Sequence, residues 1–321
     1  MRLDLVVSRR FGLSRRAARD AVRAGRIDVA GEATDEPGAD LPEDVALRYD
    51  PNRPERRRVR SRVTVLAEDP LFVIVDKPAG LLSVQTALHE GDTLFSRVLS
   101  YLQHRYRGRA WAGVVHRLDK DTSGALVFAR TREALHSFQE QFRAHRIERE
   151  YLALVEGNVA DGGTFNAALV RDRGDRRRGV AKPGEPGLHA VTHYRPLEQF
   201  GIATLVSVRL ETGRTHQIRV HFSAAGRPLI GDAVYRRRTG SPQPVAAPRQ
   251  MLHARTLGFA HPETGKLVRA ESPIPADFQA VLDGLRRRQK PRTLPGEAGK
   301  EPGNKKTPRV SPGRSRPKRM D

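Results

Sequence analysis

Apolar positions recur at helical spacing in three stretches and form short alternating or continuous runs elsewhere. In the segment after Ser14, Ala17, Ala18, Ala21 and Val22 fall on one side. Ser14 stands where an N-cap would, and Gly25 marks the stop. Thr93 to Gln103 carries Leu94, Val98 and Leu102 on one face. Thr131 caps a third helical pattern whose Leu135, Phe138 and Phe142 align. Strand-like runs are Ile27–Val29, closed by Gly31, then 63–66, 71–75, 125–129, 151–155 and 204–210. A further alternation follows Glu211-Thr212-Gly213 and predicts a strand over 216–222. Its apolar face would hold His216, Ile218, Val220 and Phe222, and its polar face Gln217, Arg219 and His221. That reading makes His216 a core histidine rather than a catalyst.

Strand runs with a few inserted helices predict an α+β fold around a mixed, mainly antiparallel sheet. Composition breaks divide the chain. Pro51-Asn52-Arg53-Pro54 and the arginines after it mark a basic linker over 51–62. It separates a small unit, 1–50, from a large one, 63–285. The segment 286–321 is rich in Pro, Gly, Lys and Arg and has no aromatic residue. It cannot bury enough apolar surface to order itself, so a disordered basic tail is expected.

The 321 residues carry 58 Lys and Arg against 37 Asp and Glu, a formal net charge of +21. An anionic partner is expected, and nucleic acid is the commonest. The tail holds thirteen basic and three acidic residues, so nearly half of the excess sits there. Arg15, Arg16, Arg19 and Arg23 lie on the polar side of the first helical pattern. They suit a phosphate backbone, although on these residues alone an ordinary solvated helix face is the favoured reading. The absence of cysteine excludes disulfides, thiolate catalysis and Cys-ligated zinc. No apolar run approaches a membrane span, and the start of the chain lacks a signal-peptide pattern. A cytoplasmic protein without membrane contact is expected, with a monomer as the starting assumption.

Two clusters could carry chemistry. His116-Arg117-Leu118-Asp119-Lys120-Asp121-Thr122-Ser123-Gly124 packs carboxylates, cations and hydroxyls ahead of an apolar strand. Asp119 between cations should stay ionised, and an ionised, positioned carboxylate can act as a nucleophile. A polar turn with local hydrogen bonds is the competing reading. The second cluster, Gly213 to Phe222, offers Arg219 as a partner for a carboxylate. No zinc spacing, Walker loop, dinucleotide fingerprint or nucleophile elbow is present, so no cofactor or metal is expected.

The first cluster resembles the HRLDxxTSG signature of RluA-type RNA pseudouridine synthases. Asp76 to Leu82, Gly213 to His221, Gly226 to Asp232 and Met251 to Ala254 resemble further family motifs in the same order, over about residues 63–280. The family often has Asn where Asp76 stands. Residues 1–50 resemble the S-four-like RNA-binding module that often precedes this catalytic domain, with a looser ending at Glu32 to Pro37.

The resemblance implies an isomerase that needs no cofactor. It breaks the glycosidic bond of uridine, turns the uracil and rejoins it through carbon five. Asp119 matches the catalytic aspartate, Tyr151 the active-site tyrosine that stacks on the base, and Arg219 the arginine that pairs with the aspartate. Arg117 matches the arginine associated with base flipping. The expected partner is RNA, with large-subunit ribosomal RNA as substrate and transfer RNA as the alternative. Two rivals are a catalytically silent ribosome-assembly factor and a nucleoside glycosidase, for which Asp121 would be the second carboxylate.

Overall fold

In the computed structural model, the described residues are 1–289 without 35, 43, 54–62, 87–90, 108–109, 173–176 and 237–243. The chain divides into two compact units, Met1–Arg62 and Val63–Asp321.

The first unit contains α1 (Leu3–Phe11), α2 (Arg15–Arg23) and a three-stranded antiparallel sheet of β1 (Ile27–Val29), β2 (Glu32–Thr34) and β3 (Leu47–Tyr49), with β1 in the centre. Ser14 caps α2 as expected, its hydroxyl accepting from the Ala17 amide at 3.1 Å. Ala18, Ala21 and Val22 pack with Leu3, Val7 and Ile27 into a small core. α1 has no counterpart in the sequence reading, although Leu3, Val6, Val7 and Phe11 fall at helical spacing. Glu32–Thr34 pairs with β1 in regular register, which corrects the expectation of a loose end there. Arg53 also corrects the linker expectation. It folds back onto the unit and grips Asp28 through two hydrogen bonds of 2.7 and 2.6 Å. The rest of the expected linker, 54–62, lies outside the described residues.

The second unit is built on an eleven-stranded sheet. Its elements run β4 (Thr64–Glu68), β5 (Phe72–Lys77), α3 (Leu94–Arg105), β6 (Gly113–Val114), β7 (Ser123–Ala129), α4 (Arg132–Arg143), β8 (Glu148–Glu156), β9 (Gly163–Val170), β10 (Gly179–Val180), β11 (Leu188–Gln199), β12 (Ala203–Leu210), α5 (Gln217–Ala224), β13 (Leu252–Ala260), β14 (Leu267–Glu271) and α6 (Ala276–Gln289). The order is β10-β9-β11-β12-β8-β13-β7-β5-β4, with β14 on β13 and β6 on β7. Among the described strands β13 and β7 pair in parallel, at His253–Ser123 and Ala254–Gly124, and the other pairs are antiparallel. The α+β class and the mainly antiparallel mixed sheet are therefore as the sequence predicts.

Alternation along the central strands sorts the core. Tyr151, Ala153 and Val155 of β8 face the side covered by α3 and α5, with Val98, Leu102, Ile218 and Phe222. Leu152 and Leu154 face the other side, against Phe278, Val281, Leu282 and Leu285 of α6. Phe72, Ile74 and Val127 meet Phe138 of α4 in a third cluster. Helix α6 continues through Gln289, and Arg286 donates to both oxygens of Glu198. This corrects the tail boundary at 286: the apolar stripe of α6 and that ion pair carry the helix one turn further. Residues 290–321, where the disordered tail was expected, lie outside the described residues.

The strand expected over 216–222 is α5. Gln217, buried to 2%, fixes its start. Its Oε1 accepts from the Thr212 hydroxyl at 2.8 Å and the Arg214 amide at 2.9 Å, and its Nε2 donates to the Val191 carbonyl. Residues 217–222 are all buried, so the helix has no polar stripe for periodicity to find. Among the described residues no helix is long and apolar enough to cross a membrane.

Candidate active site

A cleft of about 1300 Å³ opens where the loop before β7, the middle of β8 and the start of α5 converge. Asp119, Tyr151, Arg219 and Arg117, four residues singled out in the sequence, all line it.

The loop carrying Asp119 is held from below. Lys77, with no exposed surface, donates from Nζ to the carbonyls of Pro78, Lys120 and Thr122 at 2.9, 2.7 and 2.8 Å. Burial pulls its pKa down to about 7, against the raising influence of Asp121. The Ser83 hydroxyl donates to the Leu118 carbonyl and accepts from the Leu118 amide, at 2.7 and 3.0 Å. On the far side Arg249 donates to the Asp121 carbonyl and the Ser123 hydroxyl, and its own guanidinium is gripped by Asp277. Gly124 ends the loop at φ 121°, where an added Cβ would lie 2.2 Å from the Ala254 carbonyl oxygen. Only glycine fits there.

Arg219 reaches the same point from α5. Its Nη1 donates to Asp119 Oδ2 at 3.0 Å. Its Nε and Nη2 donate to Asp232 at 2.7 and 3.1 Å. Asp232 also accepts from the amides of Val234 and Tyr235, and the Tyr235 ring lies 5.0 Å beneath the guanidinium. Burial alone would raise the Asp232 carboxyl, but the hydrogen bonds and charge of Arg219, with the Tyr235 and Val234 amides, together hold it below the usual range. Burial would likewise lower Arg219, and Asp232 with Asp119 raises it instead. The arginine is thus permanently charged and fixed at two ends. Asp119 keeps 22% of its side chain exposed to the cleft, against 1% for Asp232. That difference separates the carboxylate that can meet a substrate from the one that cannot.

Tyr151 is 7% exposed and projects from the β8 face that meets Leu118 and Ile218. Burial raises its hydroxyl pKa, Arg149 opposes this and Asp119 adds to it. Arg117 stands exposed on the lip, with no hydrogen bond to a described residue. His216 departs from its expected place in the core. It is half-buried at the left-handed start of α5 (φ 59°), lines the cleft and lies 3.9 Å from Asp119. Its Nδ1 is 2.7 Å from the Tyr235 hydroxyl, and burial lowers its pKa. A non-glycine residue in that conformation is the kind of local strain that collects at working sites.

Arg15, Arg16 and Arg19 lie on α2 of the first unit and are exposed. Arg19 is committed to the buried Asp4 at 2.7 Å, and Arg16 lies 4.0 Å from Asp20. Sequence reasoning missed three supports of the site: Asp232 as the partner of Arg219, Lys77 under the loop, and Arg249. Asp232 and Lys77 sit within the motifs quoted above, but their roles depend on long-range contacts that spacing does not encode.

The family model for RNA pseudouridylate synthase matches residues 71–224, and the S4 domain model matches residues 1–44. The chain is 41% identical over 233 residues to the ribosomal large subunit pseudouridine synthase D of Xanthomonas campestris, covering 70% of each chain. It is 44% identical over 232 residues to the synthase of the same name in Pseudomonas aeruginosa, covering 69% of this chain and 71% of the relative. An uncharacterized RNA pseudouridine synthase of Mycobacterium bovis matches at 36% over 301 residues, 89% of this chain and 94% of the relative. Among solved structures, human RNA pseudouridylate synthase domain containing 1 superimposes with a TM-score of 0.53 at 25% identity, over 71% of this chain and 96% of that one. Domain containing 4 gives 0.59 at 24% identity, over 70% and 93%, and supports the fold.

Proposed function

The chain belongs to the RNA pseudouridylate synthase family, enzymes that isomerise uridine to pseudouridine in RNA, and on that premise we propose that it acts through Asp119 on uridines of large-subunit ribosomal RNA. The reaction breaks the bond from C1′ to N1 and forms one from C1′ to C5. C5 loses a proton and N1 gains one, so no outside group is required.

The observation that carries this reading is the Arg219 contact to a partly open Asp119 inside the cleft. A guanidinium fixed on one carboxylate can aim the second through a charge-assisted hydrogen bond. Asp119 is then available to attack the ribose or the base, or to take a proton. Tyr151 offers a ring for the uracil to stack on and a hydroxyl for proton transfer at C5. Arg117, free on the lip, has the reach and charge to fill the gap left by a flipped base. Arg15, Arg16 and Arg19 supply sequence-independent attraction to phosphates.

The choice of ribosomal RNA is supported by the names of the relatives and by the match to an S4 domain. A ribosomal substrate implies a cytoplasmic enzyme. All the residues assigned here come from one chain, so a monomer suffices. The test uses ribosomal and transfer RNA pools from cells lacking this protein, labelled with tritium at C5 of uridine. Release from the ribosomal pool alone is expected. Release confined to the transfer pool would overturn the substrate assignment.

A further inference from the structure

Among the described residues two aromatic side chains are left exposed, Tyr106 and Trp111, each at 37%. They stand five positions apart, between α3 and β6, in a stretch that also carries His104, Arg105 and Arg107. Nothing in the account of the cleft uses them.

Both rings are braced from one side. The Tyr106 hydroxyl donates to Glu68 Oε1 at 2.6 Å, and the Arg130 guanidinium lies 4.2 Å from its centroid. The Trp111 ring rests on Gly113, where an added Cβ would come within 2.6 Å of Cη2. Gly113 pairs with Ala129, the residue before Arg130, and the Leu135 side chain of α4 also lies against the Gly113 position under the Trp111 ring. Arg105 and Arg107 flank Tyr106 along the chain, Arg132 opens α4 two positions after Arg130, and all three are exposed. Of the nearby carboxylates, Glu68 is already engaged by Tyr101, Tyr106, Arg105 and Arg130, and Glu133 by Thr131 and its own backbone amide.

Exposed rings among arginines match the chemistry of unpaired nucleotides. Bases stack on π faces and phosphates meet the cations, whereas a duplex keeps its bases stacked on one another. The site is also placed for the substrate. From Trp111 the chain runs through β6 to Val114, Val115, His116 and Arg117 on the cleft wall. Six residues of extended chain span at most about 20 Å.

We propose that Tyr106 and Trp111, with Arg105, Arg107 and Arg132, form a stacking platform for unpaired nucleotides that flank the target uridine. This rests on the reading of the chain as an RNA-acting enzyme.

Trp111 is the single tryptophan of the chain, so intrinsic emission reports on the platform alone. The full chain is titrated with a single-stranded oligouridylate of about twelve nucleotides, within the range of such sites. A blunt RNA duplex and an acidic peptide are titrated in parallel, and binding of labelled RNA is followed by anisotropy. Tryptophan emission should fall saturably with the oligouridylate, in step with anisotropy, and change little with the duplex. W111A should lose about tenfold in affinity for the oligouridylate, while W111F stays within about threefold, since phenylalanine still stacks. R107A/R132A should lower the salt slope of binding by about one to two. Emission unaltered at saturating oligouridylate would overturn the platform. So would equal losses in W111F and W111A, or a response to the acidic peptide alone. Failure of the enzymatic reading is separable. Emission that responds to RNA in a chain that releases no tritium contradicts the catalysis and leaves the platform standing.

Discussion

Arg219 and Asp232 are joined by two hydrogen bonds of 2.7 and 3.1 Å, and both are buried. The pair stands behind Asp119 and sets which edge of the guanidinium faces it. Removing one partner of a buried ion pair typically costs about 3–5 kcal/mol. D232N should therefore lower the unfolding free energy by about 3 kcal/mol. At a temperature where the variant is folded, kcat should fall while KM changes little, because Asp232 touches no substrate. Urea unfolding and steady-state isomerisation measure the two effects.

The ring and the hydroxyl of Tyr151 are separable. Y151F keeps the stacking surface, so KM for RNA should stay within about twofold. If the hydroxyl moves the C5 proton, kcat should drop by about 100-fold or more. Y151A should raise KM as well. A Y151F enzyme with full kcat would leave the tyrosine a stacking residue only.

Gly124 admits no side chain. At φ 121° and with the Ala254 carbonyl 2.2 Å from the Cβ position, G124A should destabilise by about 3 kcal/mol or more. The same contact joins β7 to β13, so the Asp119 loop should loosen too. Thermal unfolding against G91A, an exposed glycine with open space around it and no left-handed backbone, provides the comparison.

Three histidines, His221 and His253 in the core and the half-buried His116, make stability depend on acid. Burial lowers His116 to about 3 and His221 and His253 to about 4. In the unfolded chain they titrate near 6.5, so between about pH 6.5 and 4 the unfolded state binds more protons. Stability is greatest above pH 6.5 and falls as pH drops, by up to about 1.4 kcal/mol per pH unit for each histidine. His253 holds its neutral form between the Ser123 hydroxyl and the Ser272 carbonyl. H253N should reduce the slope of unfolding free energy against pH over this window.

Much of this architecture is legible in the sequence, and the exceptions share a cause. The helices of Arg15–Arg23, Leu94–Arg105 and Arg132–Arg143 each expose one side and bury the other, so spacing reveals them. Helix α5 is buried all round and imitates a strand. That error also put His216 into the core, whereas Arg219 meets the expected carboxylate from a helix instead of a strand. The Asp119 loop is visible as a motif, but not what holds it. Lys77 lies 43 residues from Lys120, and Arg249 lies 128 residues from Asp121. Such contacts exist only once the sheet has formed.

The central claim is that Asp119 carries the isomerisation. Tritium release from C5-labelled ribosomal RNA, compared between the wild-type chain and D119N, tests it directly. The substitution is close to isosteric and leaves Arg219 bonded to Asp232, so the fold should survive. Release by the wild type is expected and none above background by D119N, with RNA binding retained. Release by D119N at the wild-type rate would contradict it.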